Sequence, residues 1–236
     1  MLEQNWRVPR RAQPGDGARR MVLTAAALCA GVGVAVTAAI VLAGSHPTWI
    51  PAALRAPTVG AAAIIRFYGG VGTLVALSLT VTVGLLAADR GLLDARRRVR
   101  AQSAHRALSV LTVVLLGTHL LTEITAHRIG ALDAAVPFLG TTAFLGLGSV
   151  AAYLIVAAMW IGIVRGRFAG NGRPGLWRVL HATGYLSWPT ALVHGLYAGR
   201  TPAVWVVASY LLLLLLVIVA LGRRLVAERR HRRAHR

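Results

Sequence analysis

The chain has 236 residues, of which 56% are hydrophobic and 14% are charged, whereas an ordinary soluble domain carries roughly 25% charged residues. Its net charge is +19, and every one of its 26 Lys/Arg positions is arginine. A single cysteine, Cys29, excludes an internal disulfide, a four-cysteine iron–sulfur cluster and covalent haem attachment through a C-x-x-C-H motif. The charges are grouped between long uncharged stretches, which argues against a soluble domain.

Six stretches with few or no charged residues are long enough, or nearly so, to cross a bilayer, which takes about 20 apolar residues. The predicted spans are 21–44, 67–88, 105–126, 138–164, 177–199 and 203–222. The first is 24 residues long, whereas the apolar core of a signal peptide has about 7–15, so we predict a retained helix. The predicted fold class is an all-α integral membrane protein, a six-transmembrane-helix bundle over residues 21–222.

Basic segments flank the predicted bundle: residues 1–20, expected to be disordered, and the tail 223–236. With the N-terminus inside, the inner segments hold 22 arginines and the outer links hold four. Basic residues in short loops resist translocation, so we predict both termini on the cytoplasmic side, N-in and C-in. The tail is expected to lie against anionic lipid headgroups, and no nucleic acid is expected as a partner. The predicted location is the cell membrane, as a multi-pass protein of a bacterial inner membrane.

Two histidines bracket most of the third predicted span, and two more lie within the fifth. His105 and His119 are 14 steps apart and His181 and His194 are 13, which gives about 21 Å and about 19.5 Å along a helix. Both spans run from inside to outside, so His105 and His181 form an inner pair, and His119 and His194 an outer pair. Imidazole is a good iron ligand, and ionisable residues within a membrane are functional candidates. Two pairs at matched depth indicate two haems, each held between two facing helices.

The second pair raises a geometric difficulty. In a regular helix, 13 steps leave His181 and His194 about 140° short of a common face, whereas 14 steps fall only about 40° short. Pro189 lies between them, and a proline inside a helix removes one backbone hydrogen bond and kinks it. Our hypothesis is that Pro189 rotates the second half of this span.

Arg106 and Arg178 lie near the inner histidines in sequence and are predicted to bind haem propionates. Anchoring at the cytoplasmic surface explains both arginines equally well. Weaker candidates are Arg66 and Arg200 on the outer side, and Gly117 and Gly184, where a flat macrocycle would meet the backbone. The remaining histidines, His46, His127, His231 and His235, are expected in solvated links or in the tail.

With this histidine spacing, the chain resembles the ferric-reductase-like transmembrane domain superfamily. That superfamily includes the membrane part of NADPH oxidases, metal reductases and the haem-binding subunit of the methionine sulfoxide reductase system. Members carry two histidines with thirteen residues between them on the third helix and two with about twelve on the fifth, as here. The segments "HRALSVL" and "WRVLHATGYLSWPTALVHGLYAG" look like bacterial members, and the resemblance covers roughly residues 60–222. It implies two non-covalent b-type haems, with His105/His181 and His119/His194 as the axial ligand pairs.

Metal reductases and NADPH oxidases continue into flavin- and nicotinamide-binding domains, and we expect none in this chain. The resemblance implies an electron-transfer subunit that takes electrons from a separate flavoprotein reductase or a quinol and passes them to an unidentified outer acceptor. No catalytic residue is predicted. Two alternatives stay open: a transporter or proton relay that uses the same histidines, and a cofactor-free structural subunit. A relay prefers further carboxylates within the membrane, and only Glu123 is a candidate.

Overall fold

The computed structural model describes residues 35, 37–44, 48, 50–88, 91, 93–139, 142–165, 172, 174–198 and 201–234. This part of the chain is helical and contains no strand. After a helical stretch at residues 37–44, its helices are α1 (Ala52–Ala88), α2 (Ala95–Thr125), α3 (Ala131–Ala135), α4 (Ala143–Ile163), α5 (Pro174–Ala182), α6 (Gly184–Tyr197) and α7 (Val204–Ala234).

Four of the described helices are long and apolar enough to cross a membrane: α1, α2, α4 and the part of α7 from Val204 to Val226. The molecule is therefore an all-helical membrane protein. Most of the predicted first span, 21–44, lies outside the described residues. The predicted fifth span, 177–199, is divided between α5 and α6, and neither half is long enough to cross a bilayer alone.

Helix α1 begins at Ala52 rather than near residue 67, so much of the predicted outer link is helical. Its first turns are rich in alanine, the residue with the highest helix propensity. Pro57 lies inside this part of the helix and cannot donate to the carbonyl one turn earlier. The Nε of Arg55 donates to the carbonyl of Ile50 at 3.0 Å, which ties the start of α1 to the segment before it.

The arginine-rich segment before His105 forms the first turns of α2. The helix begins after the N-cap residue Asp94, whose carboxylate accepts a hydrogen bond from the backbone N–H of Arg97 at 2.7 Å. Ten residues of helix therefore precede His105, a length of about 15 Å. This basic stretch continues the helix axis beyond the segment that the sequence predicts to lie in the membrane.

The fifth predicted span is interrupted at Thr183, and not at Pro189, through which α6 is continuous. The N–H of Thr183 donates to Leu180 O at 3.3 Å, and the N–H of Leu186 donates to Thr183 O at 3.0 Å. Both bonds join residues three apart, as in a 3₁₀ turn, which rotates farther per residue than an α-helix. In a regular α-helix, the 13 steps from His181 to His194 fall short of a whole number of turns. The extra rotation at Thr183 reduces this shortfall and so brings the two histidines toward a common face.

Helix α1 packs against α2 along its length and also against α6 and α7, while α4 packs against α5 and α6. The core contains Leu74, Leu77, Val81 and Leu85 of α1, Leu116 of α2, Ile155 of α4, Trp188 of α6 and Tyr210 of α7. Polar groups in this core are paired: Trp188 Nε1 donates to Ser78 Oγ at 2.8 Å, and Ser78 Oγ donates to the Leu74 carbonyl. Two antiparallel units, α1–α2 and α4–α5–α6, thus meet through a shared core.

Candidate functional site

Four histidines meet in two pairs between these units. The ring centroids of His105 and His181 lie 6.2 Å apart, with the ring planes at 80°. Those of His119 and His194 lie 6.5 Å apart, with the planes at 64°. These are the combinations that matched depth predicts. The two pairs are separated by about 21 Å along α2, the length of 14 helical residues.

Three of the four imidazoles are held by a backbone carbonyl of the neighbouring helix. The Nδ1 contacts are His105 to Thr80 O (2.9 Å), His181 to Ala158 O (3.1 Å) and His194 to Phe144 O (2.8 Å). A carbonyl oxygen can only accept, so Nδ1 carries the proton in each of these rings. The lone pair is then on Nε2, which is the arrangement that metal-binding histidines use.

The fourth imidazole differs in its hydrogen bonding. His119 Nδ1 is buried and has no hydrogen-bond partner within the described part of the chain. The ring lies against α1, where its Cα and Cβ approach Gly69 and its ring atoms approach Gly70. A buried nitrogen without a partner is costly, so this side chain is held in place by packing.

The separation within each pair suits a metal between the rings. An imidazole nitrogen lies about 2 Å from a metal that it binds, so two opposed Nε2 atoms on one metal are about 4 Å apart. Ring centres lie somewhat farther out, at about 6 Å, which is close to the 6.2 Å and 6.5 Å observed. Nitrogens about 4 Å apart would be too distant for a hydrogen bond to each other. No group of three or more His, Cys, Asp or Glu side chains that could hold a metal ion occurs among the described residues.

A cavity of about 270 Å³ surrounds the outer pair. Its lining includes His119, His194, Gly70, Arg66, Glu123 and Arg128. Most of the remaining lining is apolar, as in sites that hold a flat organic ligand with a few polar contacts at its edge.

The charged residues that line this cavity are Arg66, Glu123, Arg128 and Asp133. Arg128 Nη1 is 3.5 Å from Glu123 Oε2, so the only intramembrane carboxylate that the sequence offers for a proton relay is ion-paired. Arg66 lines the same cavity and its Nε is buried without a hydrogen-bond partner in the described residues. Arg66 therefore remains a candidate for an anionic group, and Arg128, which the sequence did not single out, joins it. Arg200 lies outside the described residues.

The inner pair has a neighbour that the sequence did not predict. Trp177 stacks on His181, with ring centroids 5.2 Å apart and planes at 13°, and its Nε1 donates to the Ile161 carbonyl at 3.0 Å. The guanidinium of Arg165 lies 4.8 Å from the centre of the same indole. Trp177 precedes His181 by four residues, and residues so spaced share a helix face, which is the signal that could have identified it.

The two inner arginines that the sequence favours are both exposed in the structure. Arg106 is exposed on α2, and its Nε donates to the Gln102 carbonyl at 3.2 Å. Arg178 is exposed on α5. An alanine-type Cβ at Gly117 would meet nothing within 4 Å, whereas one at Gly184 would lie 2.7 Å from Ala158 Cβ, so Gly184 serves helix packing.

Comparison with known proteins identifies no relative of this chain. No protein-family model, curated protein or solved structure matches the chain. The two histidine pairs, their carbonyl contacts and the outer cavity are therefore the observations from which a function is inferred.

Proposed function

We propose that this protein is a membrane electron-transfer subunit that binds two b-type haems, one above the other across the bilayer. His105 and His181 would be the axial ligands of the inner haem, and His119 and His194 those of the outer haem. The observation that carries the proposal is the spacing of the two imidazole pairs, 6.2 Å and 6.5 Å between ring centroids, combined with Nδ1 contacts that leave Nε2 available in three rings. The histidine spacing of the ferric-reductase-like superfamily supports the same conclusion.

The proposed topology has six spans with both termini in the cytoplasm. Four long apolar helices are consistent with it, and α5 and α6 together would supply a fifth crossing. The remaining crossing would end in the helical stretch at residues 37–44, which precedes α1. The division of arginines, 22 inside and four outside, supports this orientation, in which the inner pair would lie on the cytoplasmic side of a bacterial inner membrane.

In this role the haem iron supplies the change of oxidation state, and the polypeptide supplies ligands, orientation and a low-dielectric surrounding. Electrons would arrive at the inner pair from a separate flavoprotein reductase or a quinol and leave from the outer pair to an outer acceptor. Arg106 and Arg178 on the inner side, and Arg66 and Arg128 on the outer side, are the basic residues proposed to contact the haem propionates. The arginine-rich start of α2 would attract an acidic donor, because complementary charge accelerates association.

The decisive experiment is to express the chain with haem supplied, purify it and measure its haem content and its reduced-minus-oxidised spectrum. We expect two haems per chain with b-type bands. His127→Ala is the matched control, since His127 is exposed in the turn after α2 and belongs to neither pair. A folded protein that stays colourless under these conditions would contradict the proposal and favour a cofactor-free role.

A further inference from the structure

Each of the four histidines lies against a glycine of the neighbouring antiparallel helix. A Cβ placed on Gly148 would lie 2.5 Å from His194 Cε1, and one on Gly84 would lie 3.0 Å from His105 Cε1. The corresponding distances are 3.3 Å from Gly70 to His119 Cε1 and 3.6 Å from Gly162 to His181 Cε1. Carbon atoms pack best at about 3.5–4.0 Å, so at least two of these rings occupy space that only a glycine leaves free.

The carbonyl contacts follow the same register. The carbonyl that accepts from Nδ1 belongs to the residue four positions before the glycine: Thr80 before Gly84, Phe144 before Gly148, and Ala158 before Gly162. In an α-helix that carbonyl already accepts from the N–H of the residue four positions later, here the glycine itself. The side chain of that later residue would stand beside the carbonyl and block a second donor. Glycine leaves the oxygen open, so the imidazole can share it.

We propose that Gly84, Gly148 and Gly162 are positioning residues, each of which opens a backbone carbonyl that fixes the tautomer and orientation of one axial imidazole, and that Gly70 provides the space for the fourth imidazole. This inference rests on the proposed function. His119 differs from the other three, because its Nδ1 is buried without a hydrogen-bond partner in the described chain and its ring packs against Gly70.

The intervals between the glycines match the intervals between the histidines that they face, which supports one structural explanation for the four glycine–histidine contacts. Gly70 and Gly84 are 14 residues apart on α1, and Gly148 and Gly162 are 14 apart on α4. The histidines that they face are 14 apart on α2 and 13 apart across α5 and α6, where the turn at Thr183 provides extra rotation. The α1–α2 and α4–α5–α6 units thus share one arrangement. In each unit, two glycines 14 residues apart contact one inner and one outer histidine.

The test is a series of glycine-to-alanine variants with graded expected effects. Gly148→Ala should weaken haem binding at the outer site by about 10- to 100-fold, the range for lost support of a metal-binding histidine. Gly84→Ala should affect the inner haem, Gly70→Ala the outer haem less strongly, and Gly162→Ala least, following the four distances. The matched control is Gly72→Ala on the same helix, where the added Cβ would meet only Leu115 Cδ1 at 3.9 Å.

Haem affinity is measured by competition with a soluble haem-binding protein, and the midpoint potential and low-spin electron paramagnetic resonance signal of each haem are recorded alongside. Gly162→Ala, which needs the smallest shift, keeps the series informative if Gly148→Ala does not fold. The proposal is overturned if the variants retain affinity, potentials and spectra of the parent, or if Gly72→Ala disturbs them equally.

A second measurement separates this inference from the proposed function. In haem-free protein labelled with ¹⁵N-histidine, nuclear magnetic resonance should show His105 and His194 protonated at Nδ1, and mixed tautomers in Gly84→Ala and Gly148→Ala respectively. If the parent protein binds no haem, the proposed function fails, whereas the tautomer result still decides whether the glycines position the rings. Unchanged tautomers in both variants would refute the positioning role.

Discussion

Substitution of His194 by alanine should release one haem and leave the other bound. His194 is anchored to the Phe144 carbonyl at 2.8 Å and lies 6.5 Å from His119 between ring centroids, so its loss leaves the outer site with one imidazole. The expected haem content falls from about two per chain to about one, because two opposed imidazoles are the ligands that each haem is proposed to use. His119→Ala should have the same effect on the same centre.

The two sites should respond independently. They lie about 21 Å apart along α2, beyond the roughly 7–10 Å within which substitutions usually influence one another. Two double variants therefore give opposite results although each lacks two histidines. His119→Ala/His194→Ala should keep the inner haem, whereas His105→Ala/His194→Ala should lose both.

The assay combines the pyridine haemochrome content of purified protein with a redox titration that resolves the two centres. Helical circular dichroism and size-exclusion behaviour establish that each variant is folded. If folded His119→Ala/His194→Ala protein lost both haems, or folded His105→Ala/His194→Ala protein kept one, the pairing of histidines by depth would be refuted.

Three further outcomes are expected. Topology reporters fused after Arg100 should report the cytoplasm and after Ala134 the outside; an external signal after Arg100 would reverse the orientation. Trp177→Leu removes the ring that stacks on His181 and should shift the potential and spectrum of the inner haem only; an equal change in both haems would exclude a local role. Trp188→Phe leaves the buried Ser78 hydroxyl without its indole donor and should destabilise the protein by about 1–3 kcal/mol while both haems remain bound, as thermal unfolding and absorbance would reveal.

The pairing of the histidines could be predicted because it depends only on helix rise and on the alternation of direction between successive spans. His105 lies opposite His181 because the two spans run in the same direction and the two histidines lie at the same depth. This prediction needs no detail of side-chain packing. Helix ends were predicted less well. The signal for a membrane span is the length of the apolar run, whereas α1 continues for about four turns beyond that run, through Arg55 and Pro57 to Ala52.

The contacts around the histidines depend on how each neighbouring helix is rotated about its own axis. Sequence periodicity alone does not give this rotation. Gly117 is close to His119 in sequence, yet the structure puts Gly70 of another helix against that ring. Similarly, Pro189 was the obvious candidate for a change of helix rotation, and the change occurs at Thr183. Two glycine pairs with a 14-residue interval, matching the His105–His119 interval, were present in the sequence as a usable signal.

The carbonyl acceptors of the histidines also bear on how this protein can vary during evolution. An oxygen of the main chain is supplied by any amino acid, so Thr80, Phe144 and Ala158 can be exchanged for other helix-compatible residues without loss of the bond. Selection would act instead on the glycines that lie four residues after these positions, because a side chain there would block the carbonyl. Divergent homologues should therefore differ freely at the positions that make the contact and agree at the glycines that permit it.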